Sequence, residues 1–143
     1  MATGRRADPI IVTMDIQNIN RVTAFTTLDG SEIRELLAHR NSSIRNQSLA
    51  EARLSPGQST TPHFHRQSEE IYYILSGQGQ MRLDDEIRAV GPGDAIAIPP
   101  GVVHQLTNTG DAVLKLLCCC APGYEHEDTV LVGTDAVDEN ATR

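Results

Sequence analysis

Residues 57–77 read GQSTTPHFHRQSEEIYYILSG, and this stretch decides the fold. Its second half, Ile71-Tyr72-Tyr73-Ile74-Leu75, is β-branched, aromatic and apolar, which predicts a strand opening at Glu70. Its first half holds His63 and His65, two positions apart, so on a strand both imidazoles share one face. The polar Arg66-Gln67-Ser68 between them reads as a turn. A hairpin of this kind brings His63, His65 and Glu70 together. A second cluster, GDAIAIPPGVVHQLTN over residues 93–108, supplies His104 behind the turn Pro99-Pro100-Gly101. Three imidazoles and a carboxylate suit Mn, Fe, Zn, Ni or Cu, and leave about two positions of an octahedron open for water, dioxygen or a chelating substrate.

Outside these clusters, strand signals dominate. Ser48 to Leu54 is a candidate strand ended by Pro56-Gly57, Gln80 to Leu83 and Ile87 to Val90 flank a hairpin turn, and Ala95 to Ile98 is a short apolar strand. Val102 to Thr107 and Val113 to Leu117 follow on either side of the turn Asn108-Thr109-Gly110-Asp111. Val22 to Thr27 is β-prone and Leu28-Asp29-Gly30 is a turn. Ser31 then predicts a short helix that contains Arg34, Glu35, Leu36 and Leu37, with one helical turn followed by an extended stretch to His39 as the alternative. Thr129 to Val132 is a candidate edge strand, and Ile10-Ile11-Val12 another. Residues 1–9 read as a mobile tail, 10–132 as one barrel domain, and 133–143 as a disordered acidic tail.

The two clusters resemble the paired signature motifs of the cupin superfamily. The fifteen residues between Gly77 and Gly93 match the spacing of small single-domain prokaryotic cupins, and the EEIYYILSG stretch is similar to small cupins described as mannose-6-phosphate-isomerase-like. The resemblance covers residues 46 to 121. It implies an all-β fold, a double-stranded β-helix or jelly-roll barrel, with one divalent transition metal held by His63, His65, Glu70 and His104. The distance to Gly77 favours Glu70 over Glu69. It also implies a homodimer. The functions it admits are a mononuclear metal enzyme on a small oxygenated metabolite, of dioxygenase or sugar/keto-acid isomerase type, or a metal-anchored binding barrel without turnover.

Parity adds detail. If Glu70 points inward, so do Tyr72 and Ile74, while Ile71, Tyr73 and Leu75 form an outward apolar row that predicts a cover, either a second subunit or the N-terminal segment. Tyr72 becomes the candidate catalytic residue, as a hydrogen-bond donor to a substrate oxygen or a metal-bound ligand. Ala50, Ala52, Met81, Ile96, Leu106 and Leu116 are candidates for the barrel lining, and Arg53 or Arg66 for a substrate carboxylate. Leu114, Leu116, Cys118 and Cys120 are expected to face inward. The three consecutive cysteines read as small buried hydrophobes of a reducing cytoplasm or, in the sharper alternative, as a soft metal or redox site. The chain has 143 residues and a net charge of −7, which argues against nucleic-acid and anionic-membrane partners and leaves a small molecule as the expected one. No apolar run is long enough to cross a bilayer, and no secretory leader pattern is visible.

Overall fold

The computed structural model describes residues 13–133. The expected tail at 1–9, the Ile10-Ile11-Val12 strand and all but the first residue of the expected acidic tail lie outside this range. Eleven strands follow in chain order: β1 Phe25–Thr26, β2 Glu32–Leu37, β3 Ser48–Leu54, β4 His63–His65, β5 Glu69–Ser76, β6 Gly79–Leu83, β7 Glu86–Val90, β8 Ala95–Ile98, β9 His104–Asn108, β10 Leu114–Ala121 and β11 Thr129–Leu131. They form a six-stranded sheet, β1-β2-β3-β10-β5-β8, and a five-stranded sheet, β11-β4-β9-β6-β7. All ladders are antiparallel. The result is the all-β jelly roll that the motifs imply.

The core between the sheets is made by side chains of alternate parity. Leu54, Ile74, Leu106, Leu114 and Leu116 are all buried, with Met81, Ile98 and Val90 beside them. Each such side chain contributes about 1.5–3 kcal/mol by leaving water. On β5 the alternation is strict. Glu70, Tyr72 and Ile74 are buried, whereas Ile71, Tyr73 and Leu75 are 50%, 42% and 40% exposed.

The segment after Ser31 corrects the sequence reading: it is strand β2, not a helix. The residues Glu32-Ile33-Arg34-Glu35-Leu36-Leu37 suit a helix by propensity, but tertiary pairing overrides it. Gly30, at φ +90, closes a turn in which its N–H donates to Thr27 O, and the Thr27 N–H donates to Ser31 O. That turn folds β2 back along β1 and onto β3, with Ile33 opposite Ala52 and Glu35 opposite Ala50. Ser31 caps nothing, because both its N–H and its hydroxyl donate to Asp29 Oδ1, at 2.9 and 2.6 Å. The only helical pieces among the described residues are single 3-10 turns, Ile19–Arg21 and His126–Asp128.

Two glycine positions fix the site strands. Gly77 has φ +94, and a Cβ there would stand 2.8 Å from Leu114 Cα, so β5 can turn against β10 only without a side chain. Gly101 donates its N–H to His65 O at 2.7 Å, tying the loop before His104 to the strand that carries the first histidines. Asn108 is buried and satisfied: its amide donates to Leu54 O and Ala112 O and accepts from the Gly110 N–H. It is the turn-stabilising residue that its position after the second cluster suggests.

Candidate metal centre

His63 and His65 project inward from β4, His104 from β9, where it pairs with His63 across the ladder, and Glu70 from β5 in the other sheet. All four are buried. One donor atom from each lies within 4.8 Å of the other three, so the cluster could hold a single ion.

The local hydrogen bonds determine which nitrogen faces inward. His63 Nδ1 is 2.7 Å from Thr61 O and His104 Nδ1 is 3.0 Å from Val102 O. A carbonyl only accepts, so both Nδ1 atoms carry the proton and both Nε2 lone pairs are free. His65 Nδ1 lies 3.0 Å from Thr129 Oγ1, whose own proton is donated to Glu125 O, which assigns the same tautomer to the third ring. Partners of this kind orient metal-binding imidazoles. Glu70 Oε1 lies 3.2 Å from His65 Nε2 and 3.4 Å from His104 Nε2. His104 Nε2 is nonetheless buried without a directed hydrogen bond. A buried polar atom without a partner is costly, and here it points where a cation would satisfy it.

The electrostatics agree with that fit. Burial and the neighbouring His104 hold His63 below its ordinary pKa, so the ring is neutral and able to donate a lone pair. Burial works against a charged Glu70, but the imidazoles of His104 and His65 outweigh it and hold the carboxyl at about 2. Three imidazoles and one carboxylate are a set that suits a divalent transition ion.

A cavity of about 50 Å³ adjoins the cluster. Ala50, Ala52, Leu106 and Leu116 line it, as alternation suggests. Met81 and Ile96 do not; they line a separate opening between β7 and β8. Strand parity gives the face of a side chain and not its height along the barrel axis, which is why these two were misplaced. Arg53 and Arg66 are also absent from the wall. Arg53 is bound instead to Glu51. Tyr72 is buried and stands edge-on to His104, with ring centroids 5.8 Å apart, but is not among the cavity's lining residues. Its hydroxyl stays protonated, since burial and the charge of Glu70 push its pKa up.

Several wall residues were not foreseen. Asp29, in the turn before β2, places Oδ2 3.7 Å from His63 Nε2. Tyr124 packs edge-on to His65 at 5.9 Å, and its hydroxyl pairs with Thr27 Oγ1 at 3.1 Å. Cys118 and Cys120, by contrast, line the cavity from the inward face that alternation gave them, while Cys119 takes the opposite face of β10; all three are free thiols. His39 and His126 stand apart from the cluster, paired with Glu125 and Tyr124 respectively.

Residues 50–120 match the family model described as the Cupin domain. MJ1618, an uncharacterized protein of Methanocaldococcus jannaschii, is 46% identical over 124 residues, which cover 85% of this chain and 99% of that protein. The oxalate-binding protein of Thermotoga maritima is 31% identical over 86 residues, covering 60% of this chain and 71% of that one. The solved structure of the polyketide cyclase RemF from Streptomyces resistomycificus superposes with a TM-score of 0.72 at 26% identity, covering 90% of this chain and 94% of its own. The chain belongs to the cupin family.

Proposed function

We propose that the protein is a mononuclear divalent-metal enzyme that isomerises a small hydroxycarbonyl compound. The observation that carries this reading is the set of three Nε2 atoms, each freed by a bonded Nδ1, facing Glu70 beside a cavity. His63, His65, Glu70 and His104 are the ligands. When bound, the ion supplies Lewis-acid polarisation of a carbonyl oxygen.

The cavity sets the scale of the substrate. A water needs roughly 10–15 Å³ of such volume, so about 50 Å³ accepts a molecule that replaces a handful of waters. A compound of about three carbons fills it. A dioxygenase must hold dioxygen in the same space, which favours the isomerase over that alternative. Ala52, Leu106 and Leu116 keep water off the reacting atoms, and Tyr124 with Thr27 forms a polar part of the wall. Tyr72 acts through His104, holding that ring edge-on.

The test is proton exchange. Mn(II)-loaded protein in deuterium oxide should wash the proton from the carbon between hydroxyl and carbonyl of a three-carbon hydroxycarbonyl, read by NMR. Stoichiometric oxygen uptake with the same compounds would replace this reading by the dioxygenase. A second reading, a binding barrel without turnover, is favoured by the relative named an oxalate-binding protein; it predicts metal-dependent binding with no exchange.

Two further parts of the proposal concern context. The exposed Ile71, Tyr73 and Leu75 support a homodimer joined through the outer face of β5. Three free cysteines support a reducing, cytoplasmic location.

A further inference from the structure

The charges around the cavity go further and, on the metal-centre reading above, name the class of ligand. Among the described residues that line the cavity, none is Lys or Arg. The charged side chains are carboxylates: Glu70, Asp29 and Glu35. Glu35 is neutralised from outside, because Arg40 donates to both its oxygens at 3.2 and 2.8 Å. Asp29 has no such partner. Its Oδ1 is occupied by the N–H and hydroxyl of Ser31, and its Oδ2 looks across the cavity edge to His63 at 3.7 Å.

We propose that the cavity selects a neutral ligand that chelates through adjacent hydroxyl and carbonyl oxygens, and that Asp29 is the residue that turns dianions away. A divalent ion, Glu70 and Asp29 sum to zero charge. A neutral ligand leaves that balance intact. A dianion such as oxalate brings two uncompensated charges into a wall made largely of Ala52, Leu54, Leu106 and Leu116. Like charges at such separations in a poorly solvated site repel strongly. Phosphorylated sugars meet the same objection, and among the described residues of the wall no Lys or Arg is available to receive a phosphate. The oxalate-binding relative is thus similar in sequence while this chain's cavity is built for a different charge.

The experiment is calorimetric titration of the Mn(II)-loaded full chain with oxalate and with dihydroxyacetone, comparing wild type with Asp29→Asn. Asparagine keeps the Oδ1 acceptor for Ser31 and removes the charge. Asp29→Ser, which keeps an oxygen near the Ser31 N–H, is the second variant, and circular dichroism reports folding of both. Oxalate should tighten about tenfold or more in both variants. Dihydroxyacetone should bind wild type and change by less than about threefold in Asp29→Asn. Oxalate affinity that is unchanged or weaker in the folded variants overturns the proposal, as does a wild type that takes oxalate but not dihydroxyacetone. If Mn(II) itself fails to bind wild type, the metal-centre reading falls and this inference with it, an outcome visible before any ligand is added.

Discussion

Cys120 Sγ donates to Glu70 Oε2 at 3.1 Å, directly across the ladder between β10 and β5. The other carboxylate oxygen, Oε1, is the one near the imidazoles. The thiol therefore occupies the oxygen turned away from the cluster and leaves Glu70 a single donor. Burial and the charge of Glu70 push the Cys120 thiol far up, so it remains the donor throughout the accessible pH range. Cys120→Ala should weaken Mn(II) binding by about tenfold or more, in the range of other groups that support metal ligands. Cys120→Ser restores a donor and should recover most of that loss. A Co(II) absorption spectrum separates the two causes: it should change in the alanine variant if Glu70 rotates, and a spectrum identical to wild type would show that Cys120 merely fills space.

Removing a ligand should separate stability with metal from stability without it. A ligand present at 100 times its Kd stabilises a protein by about 2.7 kcal/mol. Mn(II) should accordingly raise the Tm of wild type, and His104→Ala should abolish that rise, because His104 Nε2 is the buried atom with no other partner. Thermal melts with and without chelator check it; a metal-induced rise that survives in His104→Ala would place the ion elsewhere.

The turn at Gly77 is predicted to be intolerant of any side chain. Alanine would combine φ +94 with a Cβ 2.8 Å from the Leu114 backbone, which cannot move aside like a flexible side-chain tip. Gly77→Ala should cost more than about 1 kcal/mol of unfolding free energy, the typical size of left-handed strain for a residue with a Cβ. Gly57, also at positive φ but with open space around its missing Cβ, serves as the comparison. Urea unfolding of the two variants should rank Gly77→Ala as the more damaging.

Leu54 is fully buried between the sheets. Leu54→Ala should cost about 2–5 kcal/mol, by lost transfer energy plus the cavity left behind. A cost below about 1 kcal/mol in denaturant melts would mean that the sheets collapse onto the vacated space.

The outward row on β5 predicts the oligomeric state. Light scattering should find a dimer in wild type and a monomer in Tyr73→Lys, a change on the exposed face that leaves the buried face of β5 untouched. A monomeric wild type would assign the row no partner of its own kind.

Much of this site was legible in the chain because two-residue periodicity and fixed turns carry it. The His-x-His pair, the alternation through Glu70, Tyr72 and Ile74, and the turn before His104 are all local, and the structure places the four side chains together as the spacing implies. Non-local pairings were harder to read. β2 looks helical until one sees β3 beside it, since the Glu-Ile-Arg-Glu-Leu-Leu composition favours a helix and only the partner strand overrules it. Asp29 reads as an ordinary turn residue, and nothing in its neighbours signals that the turn delivers its carboxylate to His63. Thr129 was seen as part of an edge strand, but its hydroxyl fixes the tautomer of His65 from 64 residues away. Met81 and Ile96 were given the correct inward face and the wrong level of the barrel.

His63, His65 and His104 belong to the five-stranded sheet, and Glu70 to the six-stranded one. Any cation taken up at their meeting point is therefore a rivet through the sandwich, fastening two layers that are otherwise joined by apolar packing and loops. Loading it should damp shear of one layer against the other and slow amide exchange in β4, β9 and β5 together, so that a single inorganic guest governs how far the two halves can slide.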